Sequence, residues 1–133
     1  MRFDAALASI RAGWDGERFP KYTQIHRMAL LFFSRLSHPS PADRRIAEGC
    51  KRFLANALSG VAPDPDDVTE IAYAAFGAGA FARPLFETAF ERVIANQAED
   101  GGWVTGYGDT HRVSATVAAM NLLRMVSRSD AVV

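Results

Sequence analysis

The sequence of 133 residues contains one cysteine, Cys50. A single thiol cannot form an intramolecular disulfide, so a disulfide-stabilised secreted scaffold is excluded and a reducing, cytoplasmic location is expected. The N-terminus does not combine a basic start with a long apolar run, so no signal peptide is predicted. No stretch reaches the roughly 20 apolar residues that a membrane-spanning helix needs, so no membrane span is predicted.

An excess of either charge is also missing. Lys and Arg together number 15, as do Asp and Glu. Because no net positive field exists to attract phosphates, neither nucleic acid nor an anionic membrane is expected as a partner. The sequence has no P-loop, C-x-x-C, H-E-x-x-H or G-x-S-x-G motif, which removes support for kinase, redox, zincin and serine-hydrolase activities. No cofactor is predicted.

Alanine is abundant, and alternating polar and apolar residues rarely extend to strand length, which indicates an all-α protein. Apolar residues recur at helical spacing in six segments. The expected helices lie at about 3–12, 22–37, 41–58, 65–79, from 84 onwards, and 112–127. No long linker or charge block separates them, so residues 1–133 are predicted to form a single domain.

Three of these segments share a repeated pattern. The sequence from Val68 to Phe76 aligns with that from Tyr22 to Leu30 and with that beginning at Val113, at intervals of about 45 residues. The segment 51–56 similarly resembles 91–96. Intervals of this size are typical of two-helix repeats, so the chain is predicted to consist of αα-hairpins.

One loop between the repeats carries a recognisable motif. Gln97 is followed by a glycine pair and Trp103 in the order Q-A-E-D-G-G-W. This order resembles the QW repeat of squalene-hopene cyclases and the related turn of prenyltransferase β-subunits. The resemblance implies an α/α toroid, and a full toroid has about twice as many helices as this chain. A partial, six-helix toroid is therefore expected, completed by a homodimer mate or a partner subunit.

A second motif, Asp64-Pro65-Asp66-Asp67, matches the D-x-D-D acid motif of class II terpene cyclases. The resemblance implies that Asp66 is a general acid assisted by Asp64 and Asp67, that the ligand is an apolar isoprenoid, and that the reaction is a proton-initiated cyclisation. The alternative is structural. Asp64 is a suitable helix N-cap, Pro65 suits the first helical position, and acidic residues favour the first turn.

Metal binding has less support in the sequence. The segment Asp66 to Glu70 also fits the D-D-x-x-E pattern by which class I terpene synthases bind magnesium, but no second metal-binding motif follows it. The histidines, Asp109 and Cys50 are scattered without the spacing of a zinc site. No metal is predicted.

Aromatic side chains are candidates for lining a ligand cavity, since in the resembled family aromatic faces stabilise carbocations. The ligand-binding candidates are Tyr73, Phe76, Trp103 and Tyr107; Tyr22 and Trp14 are further aromatic residues of this kind. Aromatic residues at helical spacing also fill cores. Two functions therefore remain open: an isoprenoid-binding, terpenoid-cyclase-like protein, or a non-catalytic interaction module completed by another subunit.

Overall fold

The computed structural model describes residues 2–20, 23–60 and 63–132, with side chains up to Ser129. Its six helices are α1 (Phe3–Ala12), α2 (Thr23–Ser34), α3 (Pro41–Leu58), α4 (Pro65–Gly77), α5 (Arg83–Ala95) and α6 (Arg112–Val132). Short 3₁₀ helices at Gly79–Ala82 and Asp109–His111 lead into α5 and α6. Within these residues there is no strand, and the all-α prediction with six helices is confirmed.

The helices after α1 form two layers. Helices α2, α4 and α6 pack side by side in the first layer, and α3 packs against α5 in the second. The closest packing joins α2 to α3 and α4 to α5, so each first-layer helix of these pairs is covered by the helix that follows it in sequence. One buried apolar cluster extends through both layers from Leu7 to Leu122.

The start of α3 is fixed by a capping box. The Ser40 hydroxyl accepts from the Asp43 backbone N–H at 3.1 Å, and the Asp43 carboxylate accepts from the Ser40 backbone N–H at 3.0 Å. The guanidinium of Arg11 donates to both carboxylate oxygens of the buried Asp43, at 2.7 and 2.8 Å. Hydrogen bonds from Arg11, and then from Ser40, lower the pKa of Asp43 to about 2. This network attaches α1 to α3.

Helix α2 is shorter than the predicted segment 22–37. Tyr22 lies outside the described residues, and the helix ends at Ser34. There the Ser34 hydroxyl donates to the Leu31 carbonyl, and the Arg35 backbone N–H turns back to the Phe32 carbonyl in a tighter turn. The Arg35 side chain then donates two hydrogen bonds of 3.2 Å to the carbonyl of Gly77 at the end of α4.

The other boundaries differ by a few residues. Helix α4 ends at Gly77 rather than 79, because Gly79 adopts a positive φ of 71° and begins the 3₁₀ turn. Helix α6 continues past the predicted end at 127 to Val132. Among the described helices, none is both long enough and apolar enough to cross a membrane.

Candidate functional site

The three aspartates of the D-x-D-D motif lie at the start of α4, where each has a different partner. Asp64 is the N-cap, and its carboxylate accepts from the Asp66 backbone N–H at 2.9 Å. The structure therefore confirms the capping geometry expected from the sequence. Asp64 also lies against Gly106, whose missing side chain leaves room for this carboxylate.

Asp66 and Asp67 connect α4 to two other parts of the chain. The Asp66 carboxylate accepts from the Thr105 hydroxyl at 2.7 Å and from the Gly106 backbone N–H at 3.3 Å, which fixes the glycine-rich loop against α4. The Asp67 carboxylate accepts from the guanidinium of Arg27 on α2 at 3.3 Å. Asp64 and Asp66 thus meet at the glycine-rich loop, while Asp67 is paired with α2.

A cleft of about 240 Å³ opens beside Asp66, between α4 and α6. Its polar lining consists largely of hydroxyl and ionisable side chains: Asp66, Thr69, Glu70, Thr105, Tyr107, His111 and Ser114. A neighbouring groove of about 670 Å³ shares Glu70, Ser114 and Ala118 with this cleft, and also contains Tyr73, Val113 and Val117. Sequence reasoning selected Asp66 and the two tyrosines, but not the partners that α6 and the loop bring to them.

The four aromatic candidates fall into two groups. Tyr107 is exposed and lines the cleft, and Tyr73 lines the groove with its hydroxyl donating to the Ala118 carbonyl at 2.7 Å. Burial, followed by the charge of Glu70, raises the pKa of Tyr73. Phe76 packs against Phe86 of α5, with ring centroids 5.4 Å apart, and lines neither opening.

Trp103 is the fourth candidate, and it belongs to the core. Its ring is 3% exposed, and the indole N–H donates to the Val93 carbonyl at 2.7 Å in α5. Its backbone N–H donates to the Thr116 hydroxyl at 3.0 Å in α6. Trp103 therefore joins the end of α5 to α6, and it does not line the cleft.

The rest of the Q-A-E-D-G-G-W segment forms a tight turn that supports Trp103. The Gln97 amide donates to the Gly101 carbonyl at 2.9 Å, and Gly101 has a φ of 91° that favours glycine. Asp100 accepts two hydrogen bonds from the Arg112 guanidinium, at 2.8 and 2.9 Å. These bonds, and the backbone N–H of Gly102, lower the pKa of Asp100 to about 2.

The potential metal ligands do not come together. No group of three or more His, Cys, Asp or Glu side chains suited to a metal ion occurs within the described ranges. His26 is buried, stacks on Phe53 at 3.6 Å, and accepts at Nε2 from the Phe19 backbone N–H at 3.1 Å. Cys50 is buried in the core, and this burial raises the pKa of its thiol to about 12.

The comparisons with known proteins give no family. No protein-family model, no curated protein and no solved structure matches this chain.

Proposed function

We propose that this chain is a helical assembly module that binds a helix of another protein molecule along the open side of α6. The observation that supports the proposal is an apolar stripe formed by Val113, Val117 and Met120. Their side chains are 74%, 52% and 53% exposed, although they follow one another at the spacing of a single helix face. Apolar patches of this kind mark interaction surfaces more often than isolated exposed residues do.

The repeat shows what such a stripe is suited to contact. The α6 positions Val113, Val117 and Met120 align with Val68, Ala72 and Ala75 of α4, all of which are buried. One turn after Ala72, Phe76 packs against Phe86 of α5. On α2, the position that aligns with Ala72 is His26, which stacks on Phe53 of α3.

The side of α2 that aligns with the α6 stripe is therefore covered by α3, and the corresponding side of α4 is covered by α5. The stripe on α6 has no helix after it among the described residues. Its shape and apolar character suit another amphipathic helix, in the manner by which such helices occupy hydrophobic grooves. In this proposal the six helices form an arc of an α/α toroid, in line with the QW resemblance, and the α6 stripe is the open end.

A labelled peptide with the sequence of α5, residues 83–96, tests the proposal, because α5 covers the matching side of α4. Fluorescence anisotropy of the peptide is measured against increasing concentrations of the 133-residue chain. We expect saturable binding that is lost in Val117→Lys and retained in Ala95→Lys, a control at an exposed position on α5. A chain that light scattering shows to be monomeric and that gives no saturable binding up to about 1 mM would overturn the proposal, since that limit is already weak association.

A second candidate function follows from the position of Asp66 at the edge of the cleft. In this candidate the cleft and its neighbouring groove hold an isoprenoid-type molecule near Tyr73 and Tyr107, and Asp66 protonates it to start a cyclisation. The proton is then carried by Oδ1, because Oδ2 already accepts hydrogen bonds from Thr105 and Gly106. The cleft of about 240 Å³ is smaller than the roughly 300–1,000 Å³ of ordinary ligand pockets, so it supports this candidate less than the stripe supports the assembly module.

Native mass spectrometry with squalene or geranylgeranyl diphosphate tests this second candidate, followed by a turnover assay. Retention of the ligand and turnover that is lost in Asp66→Asn, but kept in Asp67→Asn, would support it. The Asp67 variant is a matched control because that carboxylate pairs with Arg27 on α2. A chain that retains neither ligand contradicts the enzymatic candidate.

A further inference from the structure

The helix pairs of the two layers leave one helix without a close partner at each end of the chain. Helices α2 and α4 pack closely with α3 and α5, the helices that follow them. Helix α6 has no following helix in the described chain, and α1 precedes the first of the pairs. Neither α1 nor α6 has a closely packed partner of the kind that α2 and α4 have. The chain therefore presents a first-layer helix that needs a cover, and a separate helix that can supply one.

A second exposed apolar face lies on α2. Ile25 and Met28 are exposed, and Phe32, one turn beyond Met28, packs against the exposed Phe3 of α1. Ile25 and Met28 align with Ile71 and Ala74 of α4.

The side of α4 that carries Ile71 and Ala74 is the side that contacts α2. Asp67 of α4 pairs with Arg27 of α2, and Gly77 lies against Leu31 and Arg35. Ile71 and Ala74 lie between Asp67 and Gly77 on the same side of the helix. Because this side of α4 receives the preceding first-layer helix, the aligned side of α2 is the place where another first-layer helix would pack.

We infer that the occupant of both faces is a second copy of this chain, arranged head to tail, so that α6 of one copy packs against α1 and α2 of the next. The stripe of Val113, Val117 and Met120 then contacts α1 of the second copy, which presents Phe3 and Ile10. Helix α6 would lie beside the Ile25 and Met28 face, as α2 lies beside α4. The inference rests on the proposed function, and it specifies the helix that α6 binds.

The exposed area of the chain agrees with an interface at both ends. The accessible surface is 8556 Å², whereas a compact monomer of 14.5 kDa is expected to expose about 6900 Å². The chain therefore exposes roughly 1700 Å² more than a compact monomer of its mass, as expected of a chain with uncovered helix faces. The chain also carries no net charge, so two copies do not repel each other overall.

Head-to-tail contacts close into a ring when the rotation between copies permits it, and otherwise extend into filaments. In a dimer, α1 of each copy covers α6 of the other, so each α6 gains the covering helix that it lacks in one chain. We therefore expect a closed dimer rather than an open series of larger species.

Size-exclusion chromatography with multi-angle light scattering tests this assembly in the full-length chain. Between about 1 and 100 µM, we expect a mass of twice 14.5 kDa, a monomer for Val117→Lys and for Met28→Lys, and an unchanged dimer for Ala95→Lys on α5. The two lysine variants change opposite ends of the chain, so an equal loss of the dimer from both indicates contact between those ends. A monomeric wild-type chain over this range would overturn the inference.

Cysteine cross-linking distinguishes a head-to-tail contact from a symmetric contact between two α6 helices. We expect a mixture of V117C and I10C chains to give a disulfide-linked heterodimer, whereas V117C alone gives none. E91C mixed with I10C is the control at an exposed position on α5. Cys50 does not need to be replaced, because it is buried and its thiol pKa is raised to about 12. A linked V117C homodimer would overturn the head-to-tail arrangement.

These outcomes separate the inference from the proposed function. If the chain is monomeric but its α6 binds the α5 peptide, the inference of a second copy is refuted and the proposed assembly module stands. A dimer linked through two copies of position 117 also retains the module, because α6 then still binds a helix. A monomer that does not bind the peptide refutes both.

Discussion

Helices α4 and α6 occupy successive positions of the same repeat, yet their aligned sides have different surroundings. Val68 on α4 is 1% exposed, whereas the aligned Val113 on α6 is 74% exposed. The same residue type at the same position of the repeat is thus part of the core in one helix and part of the surface in the other. In a protein of stacked repeats, burial depends on the neighbouring repeat as well as on the local sequence.

The side chains along the two sides also differ in size. Helix α4 has Ala72 and Ala75 where α6 has Val117 and Met120. Small side chains permit the close approach of α5 to α4, while larger and more flexible ones offer more area to a partner that is not covalently attached. The small side chains of α4 thus lie where two helices of the chain pack closely, and the larger, exposed side chains of α6 are those on which the proposed assembly depends.

The largest expected difference in stability comes from placing the same negative charge at the aligned positions Val68 and Val113. Val68→Asp should lower the free energy of unfolding by roughly 3–5 kcal/mol or prevent folding, because it buries an unpaired carboxylate and removes core contacts. Val113→Asp should change it by less than about 0.5 kcal/mol in the monomer, because the side chain faces water. Urea unfolding followed by circular dichroism at low protein concentration measures both.

An equal loss of stability in the two variants would contradict the comparison, since it would mean that the α6 stripe is covered within a single chain. Val113→Thr provides a control of similar shape without a charge. Circular dichroism of each folded variant before denaturation separates loss of stability from loss of the fold.

A smaller loss of stability is expected from a change at Trp103, the residue that joins the end of α5 to α6. Trp103→Phe retains an aromatic ring but removes the indole donor, so the Val93 carbonyl keeps only its hydrogen bond from the Asn96 backbone N–H at 3.2 Å. We expect a loss of about 1–2 kcal/mol in the free energy of unfolding. Amide hydrogen exchange should show the loss first in α6, and uniform loss across α4 as well would refute a local role for Trp103.

The carboxylates of Asp43 and Asp100 both pair with arginine, but they differ in their exposure to solvent. Asp43 is buried between α1 and α3, whereas Asp100 is exposed in the loop before α6, and each has a pKa of about 2. Since both values lie below those of the unfolded chain, the stability from each pair is complete above about pH 4 and declines as the pH falls toward 2. Asp43→Asn should cost about 1–2 kcal/mol at neutral pH, and Asp100→Asn less, because solvent screens the exposed pair.

Unfolding measured between neutral and acidic pH checks this difference. The gap between wild type and Asp43→Asn should narrow as the pH falls from about 5 to 2. A gap that stays constant over this range would show that the carboxylate charge of Asp43 does not stabilise the fold. Nuclear magnetic resonance titration of both carboxyl groups gives their pKa values directly.

The parts of this fold that the sequence predicted are those decided over short distances. The caps at Ser40 and Asp64 were predictable because a side chain meets a backbone N–H only a few residues away. The six helices followed from apolar spacing, and the interval of about 45 residues identified which helices occupy equivalent positions.

The parts that could not be predicted depend on residues far apart in the chain. Nothing near Asp66 in sequence indicates that its partner is Thr105, and the same is true of Asp67 and Arg27. The sequence also placed Trp103 among ligand candidates, because an aromatic residue beside glycines is compatible with a cavity as well as with a core. Apolar spacing predicted the helix α6, but periodicity alone does not say which of its apolar side chains are covered within the chain.

The two tryptophans give the protein an optical reporter at each end. Trp14 follows α1, lies against Gly49 of α3 and packs edge to face on Phe19. Trp103 lies in the loop before α6 and binds the end of α5. An indole in a dry core emits at shorter wavelength than one in water, so opening of either end shifts only the emission of its own tryptophan. Chains with one tryptophan replaced by phenylalanine can therefore time the opening of the two ends separately, without any attached dye.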